Sequence, residues 1–157
     1  MAADVEVTVT GTPEIMARLS AYGSLLKDFA PFLRSEAGQL RLAVKGRFDT
    51  QGGDVGGWKP LSSKYAAWKA KRYPGQPILV ATGELRQSLV NEGGFGAIEV
   101  VSAFELRFGT EVKHAKYHQF GTGKMPARRV LAMDEAARQG MAERLRSYMI
   151  KTVEAGS

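Results

Sequence analysis

Phe29, Leu33, Ala37, Leu40, Val44 and Phe48 recur every three or four residues and so share one face of a long helix. A stripe of this length has to rest on an apolar surface, which commits the chain to a core built against that helix. Upstream, Thr12, Pro13 and Glu14 form a helix start: a capping hydroxyl, a proline in the first turn and an acid favoured by the helix dipole. Ile15, Leu19, Tyr22 and Leu26 follow at helical spacing, and Gly23 and Pro31 are expected to break or kink the stretch. Asp134 is placed to start a last helix, with Ala137, Met141, Leu145 and Tyr148 as its face.

Between these helices the period changes. Val5, Val7 and Val9 alternate with polar residues, which predicts a half-buried strand. Segments 96–101 and 104–109 read as a hairpin: Ile98 and Val100 flank Glu99, and Phe104, Leu106 and Phe108 alternate with Glu105 and Arg107. Ser62 or Ser63 caps a short helix carrying Tyr65, Trp68 and Lys69, and Thr82-Gly83-Glu84 opens another that ends near Leu89. The fold class is therefore α+β: a small, mostly antiparallel sheet flanked by a long N-terminal helix and a C-terminal helix. The 157 residues suit one domain, 1–157, with flexible loops near 49–61 and 121–128.

Several function classes drop out on composition. No apolar run approaches the roughly 20 residues that cross a bilayer, and the first residues lack the order of a signal peptide, so a soluble, cytosol-made chain without membrane contact is expected. There is no cysteine, which removes disulfides, thiolate metal sites and cysteine nucleophiles. His114 and His118 are the only histidines; with Glu111 they make an incomplete metal set. Gly-x-Ser-x-Gly is missing and the acids are dispersed. Gly52-Gly53-Asp54-Val55-Gly56-Gly57 lacks the Gly-Lys-Ser/Thr ending of a phosphate loop. The expectation is no enzyme, no cofactor, no metal and no small-molecule substrate.

The net charge of +6 is gathered in two blocks, one at Lys59, Lys64, Lys69, Lys71 and Arg72 and the other at Lys113, Lys116, Lys124, Arg128 and Arg129. Glu92, Glu99 and Glu105 lie between them. Such blocks suit phosphates, an acidic neighbouring subunit or plain solvation. Trp58-Lys59, Lys64-Tyr65, Trp68-Lys69 and Arg72-Tyr73 interleave cations with aromatics, a pattern shared by nucleic-acid-binding surfaces and by amphipathic helices.

Three ordered segments resemble a known family. They are Gln51-Gly52-Gly53 through Trp58-Lys59-Pro60-Leu61-Ser62 to Tyr65 and Lys69-Ala70-Lys71-Arg72; Ile78-Leu79 with Thr82-Gly83-Glu84-Leu85-Arg86-Gln87-Ser88-Leu89; and Tyr117-His118-Gln119-Phe120-Gly121-Thr122-Gly123 with Met125-Pro126-Ala127-Arg128. Together they are similar to the phage virion morphogenesis family, the tail-completion and head–tail joining proteins of Mu-like tailed phages. Arg129-Val130-Leu131 departs from it, where the family carries proline and phenylalanine.

The resemblance implies a virion protein made in the host bacterial cytoplasm. It would act as a homo-oligomeric ring beside neighbouring neck or tail proteins, with DNA in the lumen a further possible contact. The alternative is a basic nucleic-acid-binding domain. Interfaces favour aromatics, methionine and arginine, so Trp58, Lys59, Pro60, Tyr65, Tyr117, His118, Gln119, Phe120, Met125 and Arg128 are the candidate contact residues. Trp58 and Arg128 are expected to project from their loops as anchors.

Overall fold

The computed structural model describes residues 13–155, so the strand expected at residues 5–9 lies outside the described part. Helices α1 (Pro13–Leu25) and α2 (Ala30–Asp49) come first, followed by a 3-10 turn at Gly53–Val55. Then come α3 (Ser63–Arg72), α4 (Glu84–Val90), the antiparallel pair β1 (Ala97–Val101) and β2 (Leu106–Thr110), α5 (Ala115–Phe120) and α6 (Glu135–Ala155). The architecture is α+β, as expected.

α2 is the organising element. Pro31 sits in its first turn, where a missing N–H costs nothing, and the Asp28 carboxylate accepts from the Ala30 N–H at 2.8 Å. Pro31 thus starts α2, and α1 continues through Gly23 to Leu25. Of the expected stripe, Ala37, Val44 and Phe48 are buried. Val44 and Phe48 join Trp58, Val80, Leu85, Leu89, Val112 and Val130 in one cluster. Each large side chain buried there contributes roughly 1.5–3 kcal/mol. At the other end of α2, Phe32 rests against Tyr148 of α6, ring centroids 5.5 Å apart.

The outer helices are turned differently from their patterns. Leu19, Tyr22 and Leu26 of α1 are exposed, while Leu25 is buried and Ala17 and Ala21 are half-buried beside it. Small residues four apart let α1 lie close on α6, which turns the bulkier stripe outward. On α6, Met141, Leu145 and Tyr148 are half-buried and Ala137 is exposed. Its start matches expectation, with the Asp134 carboxylate capping the Ala137 N–H at 2.8 Å.

The hairpin pairs Ala97 with Thr110, Glu99 with Phe108 and Val101 with Leu106. Its second strand begins at Leu106, two residues later than expected, because Ser102–Glu105 close the turn through a Ser102 N–H to Glu105 carbonyl bond of 2.9 Å. Phe104 consequently sits exposed in the turn, against Phe29. α2 and α4 both pack on this hairpin. The Ser88 hydroxyl, buried on α4, donates to the Leu85 carbonyl at 3.0 Å and lies 2.8 Å from the Thr110 hydroxyl.

Candidate functional site

The family-like segments converge on one another. α2 ends at Asp49, and Gln51 and Gly52 take positive φ values, 54° and 81°, to reverse the chain. A Cβ on Gly52 would come within 2.5 Å of the Trp58 ring, so glycine is required there for conformation and for space. The turn delivers Trp58 into the core, edge-on to Phe48 at 5.3 Å, with its indole N–H donating to the Arg129 carbonyl at 3.0 Å.

The second clamp is Arg128, 3% exposed. Its guanidinium donates to the Lys59 carbonyl at 2.7 Å and the Pro60 carbonyl at 2.9 Å, and its backbone N–H donates to the His118 carbonyl at 2.6 Å. Burial pulls its pKa below the usual arginine range, with a smaller upward pull from Tyr65. Gln119 adds a third tie: its amide donates to the Leu131 carbonyl at 2.6 Å, and its oxygen accepts from the Val130 and Leu131 N–H groups, both at 3.0 Å. Gly121, with φ 73°, allows α5 to lie on the following loop, since a Cβ there would meet the Ala127 nitrogen at 2.7 Å.

Trp58 and Arg128 therefore do not project as expected. Both point inward and join the 51–61 and 117–131 segments into one body. The remaining candidates divide. Tyr65, Tyr117 and Phe120 are exposed, at 45%, 48% and 80%, and Lys59 and Pro60 are exposed too. His118, Gln119 and Met125 are half-buried.

Beside the clamp lies a groove of about 660 Å³. It is lined by Tyr65, Trp68 and Lys69 of α3 and by Tyr73 just after it, by the start of α4, and by His114, His118 and residues 124–126. Tyr65 and Trp68 stack at 5.3 Å, and Trp68 meets Tyr73 edge-on at 5.9 Å. Ser62 caps α3 by accepting from the Tyr65 N–H. Lys69 is buried, its ammonium donates to the Pro77 carbonyl, and burial lowers its pKa. Lys69, Lys124 and Arg128 outnumber the single acid on the lining, Glu84.

His118 has its pKa lowered to about 4, first by burial and then by His114 and Arg128. Its Nδ1 is buried without a hydrogen-bond partner. His114 stands edge-on to it at 5.6 Å. Among the described residues no group of three or more histidines, cysteines, aspartates or glutamates is arranged to hold a metal ion.

The low pKa makes acid the vulnerable side. Below pH 6.5 the unfolded chain protonates His118 while the folded chain resists until about pH 4, so stability falls as pH drops through that window and is flat above it. After allowance for solvent screening the loss is about 2 kcal/mol. Urea unfolding at pH 7 and pH 4.5 should show this loss, and His118→Leu should remove most of it. An unchanged pH slope in the variant would place the acid sensitivity elsewhere.

Sequence patterns missed several pieces of this arrangement. Arg47 is buried, held by Asp54 at 2.5 Å and the Val130 carbonyl at 2.6 Å, and the buried Glu36 takes a bidentate bond from Arg144, both contacts 2.7 Å. α5, with six residues, carries no apolar stripe that would predict it. Phe95, 87% exposed, is a further such residue, and its one sequence signal is that a bulky apolar side chain set among Gly93, Gly94 and Gly96 belongs to no stripe.

A model of the phage virion morphogenesis family matches residues 8–150 of this chain. No curated protein and no solved structure gives a match. Among the described residues no helix is long and apolar enough to cross a membrane.

Proposed function

This chain belongs to the phage virion morphogenesis family, and from that membership we propose that it completes the head–tail junction of a tailed phage as a ring of identical subunits. A structural role in virion assembly follows from the family itself. The observation that carries the finer reading is the match over nearly the whole chain, joined by the three ordered segments that resemble tail-completion proteins. The geometry is compatible with that work. The motif residues are largely consumed in holding two loops against the core, and the exposed apolar side chains Phe95, Phe104 and Phe120 stand outside it. A rigid body that displays isolated apolar side chains is suited to repeated subunit contact.

Phage carrying a deletion of the coding sequence test the proposal. Electron microscopy should show filled heads and separate tails, and mass spectrometry should find the protein in wild-type virions at a fixed copy number. Joined, infectious particles from the deletion, together with wild-type virions that lack the protein, would sink it.

A further inference from the structure

The groove beside α3 and the turn that carries Phe95 occupy opposite ends of one helix. The start of α4, Thr82 to Leu85, lies on the groove, and the end of α4 leads into Asn91–Gly96. Seven helical residues separate them, about 10 Å along the axis. The turn is tightly made. The Asn91 N–H donates to the Gln87 carbonyl and the Gly94 N–H to the Asn91 carbonyl, both at 3.1 Å. A Cβ on Gly94 would strike the Gln87 carbonyl oxygen at 2.6 Å, so the chain hugs α4 there. What it leaves outside is one phenylalanine, 87% exposed, three residues from Glu92, whose side chain is 78% exposed.

Knob and groove match in chemistry. The groove has one aromatic side in the stacked Tyr65 and Trp68, and its charged lining is mostly cationic, with Lys124 exposed. The knob is an aromatic with a carboxylate beside it. Glu92 already touches Arg41 at 3.1 Å, but that pair is exposed and weak, so a second cation can draw on the same carboxylate. Phe120 is also prominent, yet its sequence neighbours His118 and Lys124 line the groove itself, and no acid stands near it in sequence to meet a cation. Knob and groove at separate places on a protomer are what a head-to-tail contact requires, and head-to-tail contacts close into rings where the rotation between subunits closes.

We propose that the occupant of the groove is a second copy of this chain, which packs Phe95 against the stacked Tyr65 and Trp68 rings and sets Glu92 against Lys124. The proposal deepens the ring reading and rests on it.

The chain has no cysteine, so disulfide trapping starts from a clean background. In the full-length purified protein, Glu92→Cys combined with Lys124→Cys should give a ladder of oligomers on a non-reducing gel. Glu92→Cys combined with Glu143→Cys on α6 should not. Adding Phe95→Ala or Trp68→Ala should cut the ladder by about tenfold or more, and circular dichroism should show that these exposed-site variants remain folded. A missing ladder, an equal one from the control pair, or one indifferent to Phe95→Ala overturns the contact. A ladder suppressed by added duplex DNA, with DNA protecting Lys124 from modification, overturns it in favour of a nucleic acid occupant. Wild-type protein present in virions without any ladder defeats this contact alone. A ladder from a protein that virions lack supports the contact and defeats the head–tail reading alone.

Discussion

Trp58→Ala should destabilise the isolated chain by about 4 kcal/mol, in the range seen when a large buried aromatic is truncated. The ring is 7% exposed, meets Phe48 edge-on and has its N–H satisfied by the Arg129 carbonyl. Truncation removes the apolar burial, leaves a cavity at the centre of the cluster and orphans that carbonyl. Gly52 deepens the loss, because the chain is shaped around the indole so closely that no side chain fits between them. For a chain of this length the melting temperature should fall on the order of 10 °C. Trp58→Phe should recover most of this and keep a deficit of about 1 kcal/mol for the lost hydrogen bond. Differential scanning calorimetry of the three proteins decides the matter. A Trp58→Ala protein as stable as wild type would mean that the indole does not sit in the core.

Sequence legibility followed the range of the interaction. α2 announced itself because its apolar positions repeat along one segment, and α3, α4 and α6 because Ser62, Thr82-Gly83 and Asp134 are local start signals. On α1 the large apolar residues do not mark the buried face; the contact runs through Ala17, Ala21 and Leu25. α5 has six residues and no stripe, and it is held by bonds from Gln119 to Val130 and Leu131 and by the close approach at Gly121. Nothing within residues 115–120 encodes those partners. The same limit governs the site. A glycine-rich loop with one tryptophan reads equally as an arm that reaches out or as a reversal that folds back. The deciding partners, Phe48 before the loop and Arg129 far after it, are seen only in three dimensions.

Arg128→Glu should be at least as damaging as loss of the indole. The native guanidinium is buried, and among the described residues it has no carboxylate at ion-pair distance; it is held by the Lys59 and Pro60 carbonyls instead. Hydrogen bonds to a charged group contribute about 1.5–3 kcal/mol each, and the weak hydration of a guanidinium keeps its desolvation cost low. The net effect is to pin the 59–61 chain to the start of the 128–131 segment. A glutamate removes both donors and points a carboxylate at two carbonyl oxygens, an arrangement with no favourable term until the loops separate. The expected loss is about 4–5 kcal/mol, a large share of the total stability of an ordinary domain. Arg128→Lys keeps the charge but cannot fork to both carbonyls, so a loss of about 2 kcal/mol is expected. Hydrogen exchange should show where the loss falls: in the lysine variant the backbone amides of Arg128 and Trp58, bonded to the His118 and Gln51 carbonyls, should exchange faster while those of α2 stay protected. If Arg128→Glu instead melts with wild type and keeps both amides protected, the guanidinium is not what joins the two loops.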